Sequence, residues 1–356
     1  MIRKKIEGNE RISDHEALWL LTRGDLMFMG EMANLRRKEM VGNNAFYQYN
    51  YNINHTNICE NECDLCAFYR DENEGYVLTL EEIEEAVRKV HEVGVNEVHI
   101  VGGLNEQLKL DYFVSMLMRI KAIDPHIHIQ AFTTVEIAYF AKQSGTTTRQ
   151  ILTVLRDAGL DTLPGGGAEI FSERVRNLIC KNKISGAEWL RIMEEAHELG
   201  IQSNATMLYG HIETAEEIVD HLSRLRALQD RTGGFFAFVP LAFFPDNTKI
   251  NGMRKETFGD LDMKILACAR MYLDNFDHLK SMWMIYGYKA CQVGLDFGAD
   301  DIGGTYFDEI IVHAAGATTP KSLTKDEICA LITKMNRVPV QVNSKYQLIN
   351  EEVTAL

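Results

Sequence analysis

Cys59, Cys63 and Cys66 lie in the run ICENECDLCAFYR at the spacing Cys-x3-Cys-x2-Cys. Thiolates at that spacing can hold three corners of a four-iron cluster. Clusters of this kind usually take four cysteines, so three leave one iron open to another ligand. An open iron points to chemistry rather than passive electron storage. The competing reading is structural zinc, which takes four closed ligands in tetrahedral geometry. His55, just upstream, is a candidate fourth ligand. Zinc sites usually pair two separated Cys/His couples, however, and no second couple follows. The spacing therefore favours a redox cluster over a non-catalytic metal-binding role.

The elements around the trio must place it. Ser13 and Glu16 form a capping box before ALWLL, and a second helix runs through LMFMGEMANLRRKEM. The segment AFYQYNYNINHTN then alternates with a strand period and leads into the cysteine loop. From there strands and helices take turns. VNEVHIVGG, HIHIQAFT, LDTLPGGGAE, IQSNATMLYGH, FFAFVPLAF, HLKSMWM and ADDIGG read as strands, each preceded by a helical pattern. This order predicts a (β/α)8 TIM-type barrel with N-terminal helices and a C-terminal helical extension. An open doubly wound sheet is the runner-up. The expected division is an N-terminal helical segment at 1–45, the barrel at 46–319 and a C-terminal helix and tail packed on the barrel at 320–356.

Catalytic groups in such barrels gather at the carboxyl ends of the strands, which is where the cysteine loop falls. Gly102–Gly103, Gly165–Gly167, Gly210 and Gly303–Gly304 fall there too. A structural barrel fills its lumen with Val, Ile and Leu. Here Asn50, Asn52 and Asn54 share one strand face, His99 alternates with Val98 and Ile100, and His126, His128 and Gln130 alternate with Ile127 and Ile129. Asn204 and Thr206 continue the pattern. Helices cover the outside, so the polar members are expected in the lumen. Buried amides and imidazoles need hydrogen-bond partners, which predicts a polar ligand chamber.

The chain has 356 residues, 46% of them hydrophobic, enough for a large core. Its formal charge of −14, from 37 basic and 51 acidic side chains, argues against a nucleic-acid surface. No signal peptide or bilayer-length apolar run is present, so no membrane partner is expected. Of seven cysteines, Cys180, Cys268, Cys291 and Cys329 show no repeating spacing. Free thiols beside an iron cluster suit a reducing cytoplasm.

The cysteine loop, IVGGL, LPGGGAEIF, SNATMLYGHIET and RTGGFFAFVPLAFFPDNT together resemble the radical S-adenosylmethionine family that contains the aminofutalosine synthases, the dehypoxanthine futalosine cyclases and the deazaflavin cofactor synthases. GGGAEIF, NATMLYGHIET and FVPLAF are most similar to the aminofutalosine synthase branch of menaquinone biosynthesis. The resemblance implies that Cys59, Cys63 and Cys66 ligate a [4Fe-4S] cluster. It implies that Gly102 and Gly103 meet the amino group of S-adenosylmethionine and that Glu169 meets its ribose or methionine part. The stretch holding Met207, Tyr209, Gly210 and Glu213 is implied to lie against the adenine. Two positions depart from the family: Leu65 replaces a frequent aromatic, and Leu104 a frequent Glu. The implied reaction adds the 5′-deoxyadenosyl radical to 3-[(1-carboxyvinyl)oxy]benzoate, with rearrangement and decarboxylation to 6-amino-6-deoxyfutalosine. S-adenosylmethionine is then a consumed co-substrate, and an external one-electron donor such as flavodoxin or ferredoxin is implied. Asn52, Asn54, Arg70, His128 and Phe243 are the candidate contacts for that substrate.

Overall fold

The computed structural model describes residues 1–250, 257, 259–307 and 309–349. Among the described residues there are ten strands: β1 Asn44–Gln48, β2 Asn50–Ile53, β3 Glu97–Ile100, β4 His128–Ala131, β5 Thr162–Leu163, β6 Gln202–Tyr209, β7 Phe235–Ala242, β8 His278–Leu279, β9 Asp301–Gly304 and β10 Val338–Val342. Seven of them, β2 to β8, pair in chain order as one parallel, curled sheet. A second sheet has the order β10-β1-β9. The two sheets meet. β8 reaches β9 through a parallel bridge between Lys280 and Asp301, and β9 pairs with β1 at Phe46 and Gln48. The result is the expected TIM-type arrangement of parallel strands and crossover helices.

One expectation is revised at the start of the barrel. The alternating run from Ala45 does not form one strand; it breaks at Tyr49. The partner changes there, from β10 and β9 before the break to β3 after it. The C-terminal region also differs. It holds the expected helix, Lys325–Thr333, but also the strand β10, which lies parallel to β1. Pro339 cannot donate to a ladder, which fits a strand at the edge of its sheet, whose other side meets only the Val342–Leu348 bridge among the described residues.

Local chemistry starts the helices near the strand ends. Thr79 with Glu82, Thr133 with Glu136, and Thr214 with Glu217 form reciprocal capping boxes. Helix faces then bury against the outer side of the sheet. Val98 and Ile100 of β3 are fully covered, as are Phe113, Phe132 and Phe140, whose rings meet edge-on or tilted 4.2 to 5.4 Å apart. Removing one such ring typically costs about 3–5 kcal/mol. The N-terminal helix Leu26–Val41 packs on the barrel helix Gly259–Tyr272. Among the described residues no helix is long and apolar enough to cross a membrane.

Candidate active site

A cavity of about 410 Å³ opens at the carboxyl ends of the strands and runs down inside the barrel. Cys59, Cys63 and Cys66 all line it. Backbone bonds hold their loop. The amide of Cys59 donates to Arg70 O, that of Arg70 to Asn57 O at 2.8 Å, and that of Leu65 to Ile179 O. All three thiols are free. Burial pushes the Cys63 thiol up to about 12 and raises that of Cys59. A thiolate there needs a cation, and a metal centre supplies one. Among the described residues no three His, Cys, Asp or Glu side chains stand close enough to hold a single ion. A four-iron cluster asks instead for three sulfurs spread around it. His55, the candidate fourth zinc ligand, is fully buried against Phe113 and its ring is neutral, with burial pulling it down to about 3.

Gly102 and Gly103 line the same cavity. A Cβ on Gly103 would sit 2.1 Å from Ile58 O, so only glycine lets this backbone pass under the cysteine loop. The Gly102 amide donates to Glu136 Oε1, and Glu136 also caps the helix Thr134–Ser144. One carboxylate thus ties the glycine pair to a helix start. Burial lifts that carboxyl to about 7, against the hydrogen bonds from Thr133 and Gly102.

Glu169 lines the cavity as well and pairs with Lys183 at 2.6 Å. Burial would raise the Glu169 carboxyl, but Lys183 overrides it and holds it below its ordinary value. Glu62, Glu169 and Tyr306 adopt left-handed backbone with φ of 42°, 46° and 48°. Such residues cost on the order of 1–3 kcal/mol each and gather at functional sites.

The residues of the adenine stretch divide. Residues of β6 alternate, and Asn204, Thr206 and Leu208 face the cavity. Met207 is buried in the core, and the Tyr209 hydroxyl donates to Asp262 Oδ1 on the outer helix at 2.7 Å. Gly210 and Glu213 form a turn, with the carboxylate accepting the amides of Gly210 and His211. None of Met207, Tyr209, Gly210 or Glu213 lines the cavity; Leu208 does.

The substrate candidates also divide. Phe243 lines the cavity. Asn52, Asn54, Arg70 and His128 do not. Asn54 donates to Val101 O, and Arg70 is exposed and braces the loop through Ala67 O and Tyr69 O. His128 starts β4 and meets Thr162 Oγ1 at 2.9 Å, low in the barrel. His126 precedes the strand and is exposed. The polar lumen itself is present, built from Gln48, Asn50, His99, Gln130, Asn204 and Thr206.

Several cavity residues carry no linear motif. Lys183 comes from the segment before the helix Gly186–Glu198, Lys280 follows β8, and Ser344 follows β10. Glu97 was within reach, because it sits two residues before His99 on the same strand face.

Residues 53–225 match the model of the Radical SAM superfamily, and residues 232–354 match the CofH/MqnC C-terminal region. The chain is 40% identical over 351 residues to the aminodeoxyfutalosine synthase of Thermus thermophilus, covering 97% of this chain and 94% of that one. The chain belongs to the radical SAM superfamily. It is also 38% identical over 325 residues to a 5-amino-6-(D-ribitylamino)uracil–L-tyrosine 4-hydroxyphenyl transferase of Methanococcoides burtonii, covering 90% and 91%. Among solved structures, methylornithine synthase superposes with a TM-score of 0.76 at 17% identity, over 95% of this chain and 97% of that one. The hydrogenase maturase HydG of Carboxydothermus hydrogenoformans gives 0.78 at 17%, over 97% and 80%. These two share the fold. Radical SAM enzymes work with a [4Fe-4S] cluster and S-adenosylmethionine, and the cysteine trio is the matching feature here.

Proposed function

We propose that this radical SAM enzyme is an aminodeoxyfutalosine synthase, joining the 5′-deoxyadenosyl group of S-adenosylmethionine to 3-[(1-carboxyvinyl)oxy]benzoate with rearrangement and loss of carbon dioxide. The observation carrying this reading is one cavity with two chemical halves. The thiols, the glycine pair and Glu169 line its upper part, and a polar chamber extends below. The relative from Thermus thermophilus and the GGGAEIF and NATMLYGHIET strings support the choice of substrate.

In this reading Cys59, Cys63 and Cys66 hold the cluster. Bound together, the cluster and S-adenosylmethionine supply a carbon radical at the 5′ position. The Gly102–Gly103 backbone and Glu169, steadied by Lys183, orient the co-substrate. Leu208, Phe243 and Phe244 form an apolar wall that excludes water from the reacting carbon. The lumen amides and His99 fix the far end of the acceptor so that its alkene stays in attack geometry. An external one-electron donor completes the partner set.

A second reading is favoured by the relatives named as 4-hydroxyphenyl transferases: a deazaflavin-synthase-like reaction on a ribitylaminouracil and L-tyrosine. Reduced, reconstituted enzyme with S-adenosylmethionine and each substrate separates them by product mass. An adenosylated, decarboxylated product is expected from the carboxyvinyloxybenzoate. Free 5′-deoxyadenosine with a hydroxyphenyl adduct, or with a cyclised product from dehypoxanthine futalosine, would overturn the reading.

A further inference from the structure

The cavity does not end in an apolar plug. Its floor lies at the amino end of the barrel, where the segment after β10 crosses beneath the strands. Ser344 donates through its hydroxyl and its amide to the two oxygens of Glu97, both at 2.6 Å. The Tyr346 ring stacks on His278 at 3.4 Å, and its hydroxyl donates to Asp301 Oδ2 at 2.7 Å. The C-terminal segment is thus a wall of the chamber.

The donors and acceptors on this floor are unevenly committed. Asp301 Oδ2 takes Gln48 Nε2 at 2.8 Å as well as Tyr346, and its Oδ1 takes the Gly303 amide at 2.6 Å. Glu97 accepts from Ser344 on both oxygens. Both acids are thus already engaged by donors of the chain. Lys280 is different. Its Nζ donates to Gln48 Oε1 at 2.8 Å and stands 3.3 Å from Asp301 Oδ2. An ammonium carries three protons, so one stays uncommitted to either partner on a side chain that is 4% exposed and lines the cavity. Above it, His99 also lines the cavity, and its buried Nε2 has no hydrogen-bond partner. Burial and then Lys280 keep that imidazole neutral, near 4, so it can donate a single N–H.

We propose that this floor is a carboxylate-recognition site, in which Lys280 and His99 receive the ring carboxylate of the substrate and select acceptors carrying one. The inference deepens the function proposed above and rests on it for the identity of the acceptor. A single negative charge matches the single spare ammonium proton. A phosphate would bring a second charge against Asp301, and among the described residues that line the cavity the other cation, Lys183, is committed to Glu169 near the cysteines. The alkene must react beside the cysteine loop, so the far, ring carboxylate is the end that reaches down to Lys280.

The test compares 3-[(1-carboxyvinyl)oxy]benzoate with its ring carboxamide on reconstituted wild type, Lys280→Met and Lys280→Arg. Binding is read by calorimetry and turnover by product mass. A charged hydrogen bond of this kind predicts that wild type prefers the carboxylate by about tenfold to a hundredfold. Lys280→Met should lose that preference through KM, with iron content retained, and Lys280→Arg should keep most of it. Equal binding of carboxylate and carboxamide by wild type overturns the site without any variant. An unchanged preference in Lys280→Met overturns it as well. Lysine-dependent preference without adenosylated product would leave the site standing and remove the proposed reaction. Adenosylated product without preference would do the reverse.

Discussion

At the carboxyl end of the strands, the loop from Asn57 to Arg70 is held mostly by backbone hydrogen bonds, and its three thiols are left free to face the cavity. At the amino end, side chains do the holding. Arg270 pairs with Asp300 at 2.5 Å, His278 pairs with the same carboxylate at 2.6 Å, and Lys280, Gln48 and Tyr346 converge on Asp301. The upper end spends its side chains on a ligand, whereas the lower end spends them on one another. A loop fixed through its backbone tolerates a change of side chain structurally but loses chemistry when a thiol goes. A floor fixed through buried charges should behave in the opposite way.

The largest effect should come from the thiols. Cys59→Ala, and equally Cys63→Ala or Cys66→Ala, is expected to abolish the brown cluster chromophore and all 5′-deoxyadenosine formation while the melting temperature of the apo chain barely moves. Iron content and circular dichroism check both halves. Full cluster content in Cys59→Ala would break the contrast at its stronger end. Gly103→Ala should come next. Its Cβ would meet the carbonyl oxygen of Ile58, which is backbone and cannot swing aside. The loop must shift, and a displacement of that kind costs about a hundredfold in turnover. Cleavage of S-adenosylmethionine without acceptor reads it.

The two ends were not equally visible in the sequence. The cysteine spacing, the glycine pair and most barrel strands could be read because each is local: a motif, a turn or a period of two. The helix Thr134–Ser144 was missed although Thr133 and Glu136 spell its capping box, since HIHIQAFT runs into it without a Gly or Pro. The polar lumen was legible from alternation, but its assignment ran too far in both directions. Asn52 and Asn54 lie beyond the cavity wall at one end and His126 before the strand at another. The floor was not legible. Gln48 and Glu97 share strand faces with Asn50 and His99, but Lys280, Asp301 and Tyr346 join them only through barrel closure and β10, and no spacing within the chain marks those three.

Asp300→Asn probes the floor alone. It removes the charge that compensates the buried Arg270, which also donates to Gly298 O and Asp277 O. Breaking a buried pair from one side costs about 3–5 kcal/mol. Chemical denaturation should show that loss, with iron binding retained in the folded fraction. Loss of the cluster at unchanged stability would merge the two ends that the structure keeps apart.

The smallest effect tests the contact between the floor and the C-terminal segment. Burial lifts the Glu97 carboxyl to about 7, against hydrogen bonds from Ser344 and the charge of Lys280, with Asp301 adding to the rise. An unfolded glutamate titrates near 4.3. Between these values the folded chain binds the proton that the unfolded chain has released, so stability from this group falls as pH rises through that window and levels off above about 7. Glu97→Gln carries no such penalty. It forfeits part of the bonding to Ser344 at every pH, because an amide offers one acceptor oxygen instead of two. The variant should therefore be less stable than wild type at pH 5 and close most of that gap by pH 8. The difference in melting temperature, variant minus wild type, is the measurement. A gap that stays constant across the range would mean that Glu97 is ionised throughout, held by Ser344 and Lys280 more tightly than burial opposes. The floor would then carry two full negative charges against one lysine, and Lys280 would have little left to offer a carboxylate from above.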